Sequence, residues 1–97
     1  MTYSDPMRGL PGNLKSYVCI CVFEGRKPVL YVTRADGDWC ALCGDDHPQE
    51  AAYYRVVGLG HVVGDDPTIS DVLDLQPDEE AERETVGSAW VRGVVSP

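Results

Sequence analysis

The side chains of this 97-residue chain that could carry chemistry fall into two groups, four cysteines with two histidines and a large surplus of carboxylates. Cys40 and Cys43 form a Cys-x-x-Cys pair, with His47 and His61 downstream. A structural zinc site needs four converging soft ligands, typically two such pairs or one pair with two closely spaced histidines. Here there is one pair, and the histidines stand fourteen residues apart. If residues 39–43 form a strand, positions 40 and 43 also face opposite sides. The spacing therefore argues against a metal or any other cofactor. Thiol redox chemistry is disfavoured too, because Asp45 and Asp46 follow directly and nearby negative charge raises a thiol pKa. Cys19 and Cys21 lie two apart in the apolar run SYVCICVF, where strand geometry makes them small core hydrophobes.

The remaining signatures of catalysis are incomplete. Gly58-Leu59-Gly60 lacks the next glycine of a dinucleotide loop, and Asp65 and Asp66 stand where a phosphate would dock. No serine or cysteine lies in a nucleophile elbow. The chain reads as a non-enzyme.

The carboxylates are the stronger signal. Sixteen Asp and Glu against eight Lys and Arg give a net charge of −8. Residues 1–34 carry five basic and two acidic side chains (+3), whereas residues 35–97 carry three basic and fourteen acidic ones (−11). Such a surface repels phosphate backbones and anionic lipid, which excludes nucleic acid and membrane as partners and favours a basic protein. Asp45 and Asp46, Asp65 and Asp66, and Asp78, Glu79 and Glu80 fall in expected loops or element ends. If those loops return to one edge, they make a negative rim beside Trp39 or Trp90, the composition of a protein-binding site.

The elements that must position these residues are short. At 43 % hydrophobic and 25 % charged, the chain has ordinary globular usage and room for one modest core. Residues 1–15 read as an irregular N-terminal arm, and residues 16–97 as a single α+β domain. Ser16–Phe23 and Pro28–Thr33 predict a hairpin around Glu24-Gly25-Arg26-Lys27, and Trp39–Cys43 continues it as a meander. Tyr53–Val63 predicts a fourth extended segment, its glycines marking a bend, a bulge or a close backbone approach. Asp65 or Asp66 caps a principal helix with Pro67 in its first turn and Ile69, Val72 and Leu73 on its buried face, ending near Leu75. Asp78–Glu84 predicts a short second helical turn, and Ser88–Val95 a last strand. The expected architecture is a mainly antiparallel sheet of four or five strands. The first strands are apolar on both faces, so the arm covers the second face of a monomer, or a homodimer buries it. The longest apolar run is too short for a membrane helix and no secretory signal opens the chain, so a cytoplasmic protein with reduced thiols is expected.

Trp39 with Cys43-Gly44-Asp45-Asp46, then Val57-Gly58, the segment Asp66-Pro67-x-Ile69-x-x-Val72-Leu73-Asp74-Leu75, and Gly87-Ser88-Ala89-Trp90-x-Arg92 together resemble a group of small bacterial proteins. Relatives of that group include immunity proteins of polymorphic-toxin systems, and the resemblance covers roughly residues 16–92. Cys40 paired with Cys43 and the proline-containing arm depart from it. The resemblance implies an α+β fold and a cytosolic antitoxin that binds and blocks one cognate toxin, and it supplies no catalytic residue. The alternative reading is a small zinc- or thiol-dependent regulatory protein using Cys40, Cys43 and His47.

Overall fold

A computed structural model of the chain describes residues 7–48 and 50–95. The start of the expected arm, residues 1–6, lies outside them. The fold is α+β. Strand β1 (Lys15–Cys19) runs into a single helical turn, α1 (Ile20–Phe23). Then come β2 (Tyr31–Thr33), β3 (Trp39–Leu42), β4 (Tyr54–Gly58), the helix α2 (Leu59–Asp65), a 3-10 segment (Pro67–Val72), β5 (Glu79–Glu82) and β6 (Val91–Val94). All six strands join one sheet in the order β4-β1-β3-β2-β5-β6. Its pairs are antiparallel except β1 with β3, which is parallel.

The sheet is thus six-stranded and mixed, where four or five mainly antiparallel strands were expected. β1 and β2 do not form a hairpin, because β3 lies between them. β1 and β3 run parallel because β2, antiparallel to β3 within the same sheet, carries the chain back between them. The turn of α1 begins the reversal into β2 within a run whose composition favours a strand: the N–H of Glu24 bonds the carbonyl of Ile20, and those of Arg26 and Lys27 bond the carbonyl of Cys21. The second correction is β5. Asp78–Glu84 is not a helical turn, since Ala81 and Arg83 are buried on one face while Glu80 and Glu82 stand on the other. Pairing on both sides, with β2 and β6, overrides the helix preference of Glu and Ala.

The extended segment expected through Val63 stops at Gly58. Leu59, Val62 and Val63 are buried at helical spacing in α2. The helix start at Asp66 is present: the Asp66 carboxylate accepts from the N–H of Thr68, Pro67 follows, and Ile69, Val72 and Leu73 are buried. It opens a six-residue 3-10 segment, however, and not a longer α-helix. These helical pieces cover one face of the sheet, where Val18, Val32, Ala41 and Ala81 meet Leu59, Ile69, Val72 and Leu73.

The described part of the arm crosses Gly58 and Gly60. Leu59 and Gly60 donate their N–H groups to the carbonyls of Leu14 and Gly12. A Cβ at Gly58 would stand 2.8 Å from the Gly12 oxygen, and one at Gly60 would stand 2.9 Å from the Gly12 Cα. These glycines therefore permit a close backbone approach, one of the roles their spacing predicted. Met7, Leu10 and Leu14 pack against the core from this arm.

Candidate functional site

The strand register divides the sheet into two faces. Across one, the cross-strand neighbours run Val56, Tyr17, Cys40, Thr33 and Glu80, with a second row of Leu42, Tyr31, Glu82 and Val91. The helical pieces lie on the other face, and here Val56 and Val91 remain 57 % and 65 % exposed. Tyr31 stands between Glu82 and Leu42 in the register, and it shares a shallow depression with Asp45, Glu80 and Glu82. Partial burial pushes the Tyr31 phenol up from its ordinary pKa, and the charge and hydrogen bond of Glu80 act the same way. At the far end of this face Lys15 lies over the Tyr17 ring, 5.2 Å from its centre. Negative charge is therefore concentrated toward β5.

The carboxylates picked out from the sequence do not make one rim. Asp45 and Glu80 come together beside Tyr31, with Glu82 as a third member that strand alternation reveals. Asp45 pairs with Lys27, which holds its carboxyl below the usual range, while Asp46 next to it is exposed. Asp78 and Glu79 are engaged in turns, Asp78 accepting from the N–H of Asp36 and Glu79 from that of Gln76. Asp65 and Asp66 lie elsewhere, on an apolar cavity of about 600 Å³ between the 23–29 segment and α2, where Asp65 also faces His61 at 3.5 Å.

Neither tryptophan is a surface anchor in that rim. Trp39 is 6 % exposed, within the core, with the Arg34 guanidinium 4.7 Å from its ring centre. It lies on the face of β3 opposite Cys40, so strand alternation sends it away from the acids. Trp90 is half-buried, with the Arg83 guanidinium 4.2 Å from its ring centre. Asp66 is likewise committed to structure. Its Oδ2 receives a hydrogen bond from Arg83 Nη2 at 2.7 Å, and Arg83 also donates to the Val29 carbonyl and to Thr68 Oγ1. Burial raises the Asp66 carboxyl, but hydrogen bonds from Thr68 and Arg83 outweigh it and leave its pKa lowered.

Cys40 does not join Cys43 and His47. It stands within β3 on the open face, in register with Tyr17 and Thr33, whereas Cys43 lies just past the end of that strand. Cys19 takes its place: the Sγ atoms of Cys19 and Cys43 and a ring nitrogen of His47 all lie within 4.8 Å of one another. Cys43 Sγ and His47 Nε2 are 3.3 Å apart, and the His47 ring meets Tyr54 edge-on at 6.4 Å between ring centres. Burial, then interaction with Cys43, pushes the Cys19 thiol up despite hydrogen bonds that lower it. Cys43, at 4 % exposure, is too enclosed to present a nucleophile to a bulky substrate. No pattern in the sequence links Cys19 to Cys43, since they meet only because β1 and β3 are parallel neighbours ending side by side.

Among the described residues no helix is long and apolar enough to cross a membrane. Comparison with family models, curated proteins and solved structures found no match for this chain.

Proposed function

We propose that this chain is a cytosolic immunity protein, a small α+β binding module that neutralises a basic bacterial toxin domain without catalysis of its own. The observation that supports this reading best is the sheet face away from the helical pieces, where Tyr31 shares a shallow depression with Asp45, Glu80 and Glu82. An aromatic ring inside a border of like charge suits a partner that brings Lys or Arg, because the ring supplies contact area and the carboxylates steer the encounter. The charge of −11 over residues 35–97 extends that attraction beyond the contact. The resemblance in residues 16–92 points to the same class of protein.

The test is rescue. Cells expressing a toxin encoded beside this chain's gene are protected by the wild-type protein, and Glu80→Lys with Glu82→Lys abolishes protection while the melting curve is retained. Full protection by the doubly reversed protein would end the proposal for this face.

A further inference from the structure

We propose that Cys19, Cys43 and His47 bind one thiophilic transition-metal ion of the Zn²⁺ type. The expectation of no metal rested on too few converging ligands and on positions 40 and 43 facing opposite sides of a strand; the fold instead brings Cys19 beside Cys43 and His47. Around a tetrahedral zinc, sulfur and nitrogen ligands lie about 3.5–4 Å apart, from Zn–S near 2.3 Å and Zn–N near 2.0–2.1 Å. The three donor atoms already fall within 4.8 Å of one another, with 3.3 Å between Cys43 and His47, so small side-chain rotations bring them onto a common ion.

The chemistry of the donor set fits as well. Two thiolates and one imidazole are soft and borderline ligands, which select zinc or copper(I) over magnesium or calcium. Binding exchanges two thiol protons for the cation, so the two sulfur charges balance the ion and two protons leave to solvent. Cys19 and Cys43 are held on neighbouring strand ends and are both buried, which fixes two ligands before the metal arrives. His47 comes from the following loop, and its edge contact with Tyr54 orients the ring. Three protein ligands leave a fourth position for water or an incoming group, as in open zinc sites. The bound ion would also fasten the 43–47 loop, which carries Asp45 and Asp46, to the end of β1. The inference stands apart from the binding role, because metal uptake is read without any toxin.

The experiment uses the full chain, reduced and stripped with a chelator, then titrated with Zn²⁺ against a chromophoric competitor and separately with Co²⁺. The expected result is one equivalent of zinc and a thiolate-to-cobalt charge-transfer band, which a carboxylate site does not give. His47→Asn, which leaves both buried thiols in place, weakens zinc binding at least about tenfold. Cys43→Ser diminishes the charge-transfer band, and Cys40→Ser on the open face changes neither property. The proposal is overturned if the reduced wild-type chain takes up no stoichiometric zinc. It is equally overturned if His47→Asn binds as the wild type does, or if Cys40→Ser weakens binding as much as His47→Asn.

Discussion

Asp66 holds two structures at once, the start of the 3-10 segment through Thr68 and the buried guanidinium of Arg83. The Arg83 side chain is fully enclosed, so loss of the carboxylate leaves a buried cation with only the Val29 carbonyl and Thr68 hydroxyl as hydrogen-bond acceptors among its described partners. Asp66→Asn should destabilise the protein at neutral pH toward the lower end of the about 3–5 kcal/mol typical of a broken buried pair. The penalty is moderated because the Asp66 side chain keeps 19 % exposure. The folded carboxyl has a lowered pKa, so its contribution is fully present above the ordinary value of about 3.9 and is lost as pH falls through the lower folded value. Chemical denaturation across pH should therefore show a constant gap between wild type and variant above about pH 5, closing in more acidic solution. A gap that does not narrow would mean that the carboxylate charge is not what stabilises the fold.

At the scale of the elements, α2 offers a paired test of why its glycines are there. At Gly60 an added methyl meets the Gly12 backbone at 2.9 Å, whereas at Gly64 nothing lies within 4 Å. Gly60→Ala should cost about 1–3 kcal/mol by pushing the arm away. Gly64→Ala, in the same helix, should instead stabilise by about 0.4–1 kcal/mol through lower unfolded-state entropy and better helix propensity. Equal effects in a urea melt would contradict the close approach. The 3-10 segment is held by packing, its Ile69 and Val72 sealed against the sheet with Leu73 just beyond. Leu73→Ala is expected to cost about 2–5 kcal/mol, and an unchanged melting curve would show that this face is not buried.

For the whole molecule, the two faces of the sheet have different work. One carries the core, and the other presents aromatic side chains and carboxylates; the described part of the arm lies on the core side. There it packs its Leu10 and Leu14 beside Trp39, Leu73 and Leu75. Charge reversal should divide the acids accordingly. Glu80→Lys with Glu82→Lys should slow association with the basic partner, and the rate of the reversed protein should fall less steeply with added salt than the wild-type rate. Asp78→Lys with Glu79→Lys should act mainly on stability, because those carboxylates hold the N–H groups of Asp36 and Gln76. Stopped-flow rates at two salt concentrations, beside a denaturant melt of each variant, separate the two effects. Identical rates for all three proteins would remove steering by this face.

The sequence by itself determined the α+β class, the Asp66-Pro67 start with Ile69, Val72 and Leu73 inward, a strand beginning at Trp39, and the imbalance of charge. Each is set by local chemistry: a cap and a proline act within one turn, and alternation acts within one strand. What only the tertiary structure decided are matters of which strands become neighbours. Ser16–Phe23 has the composition of one long strand, but the chain leaves β1 in a helical turn after Cys19 on its way to β2, which lies beyond β3 in the sheet. Asp78–Glu84 has the composition of a helix, but unpaired edges on β2 and β6 capture it as β5. The same long-range pairings place Glu80 and Glu82 around Tyr31, turn Trp39 into the core and exchange Cys40 for Cys19 beside Cys43 and His47. Contacts between residues so far apart along the chain leave no local period in the sequence, because their free energy is realised only when the whole sheet has formed.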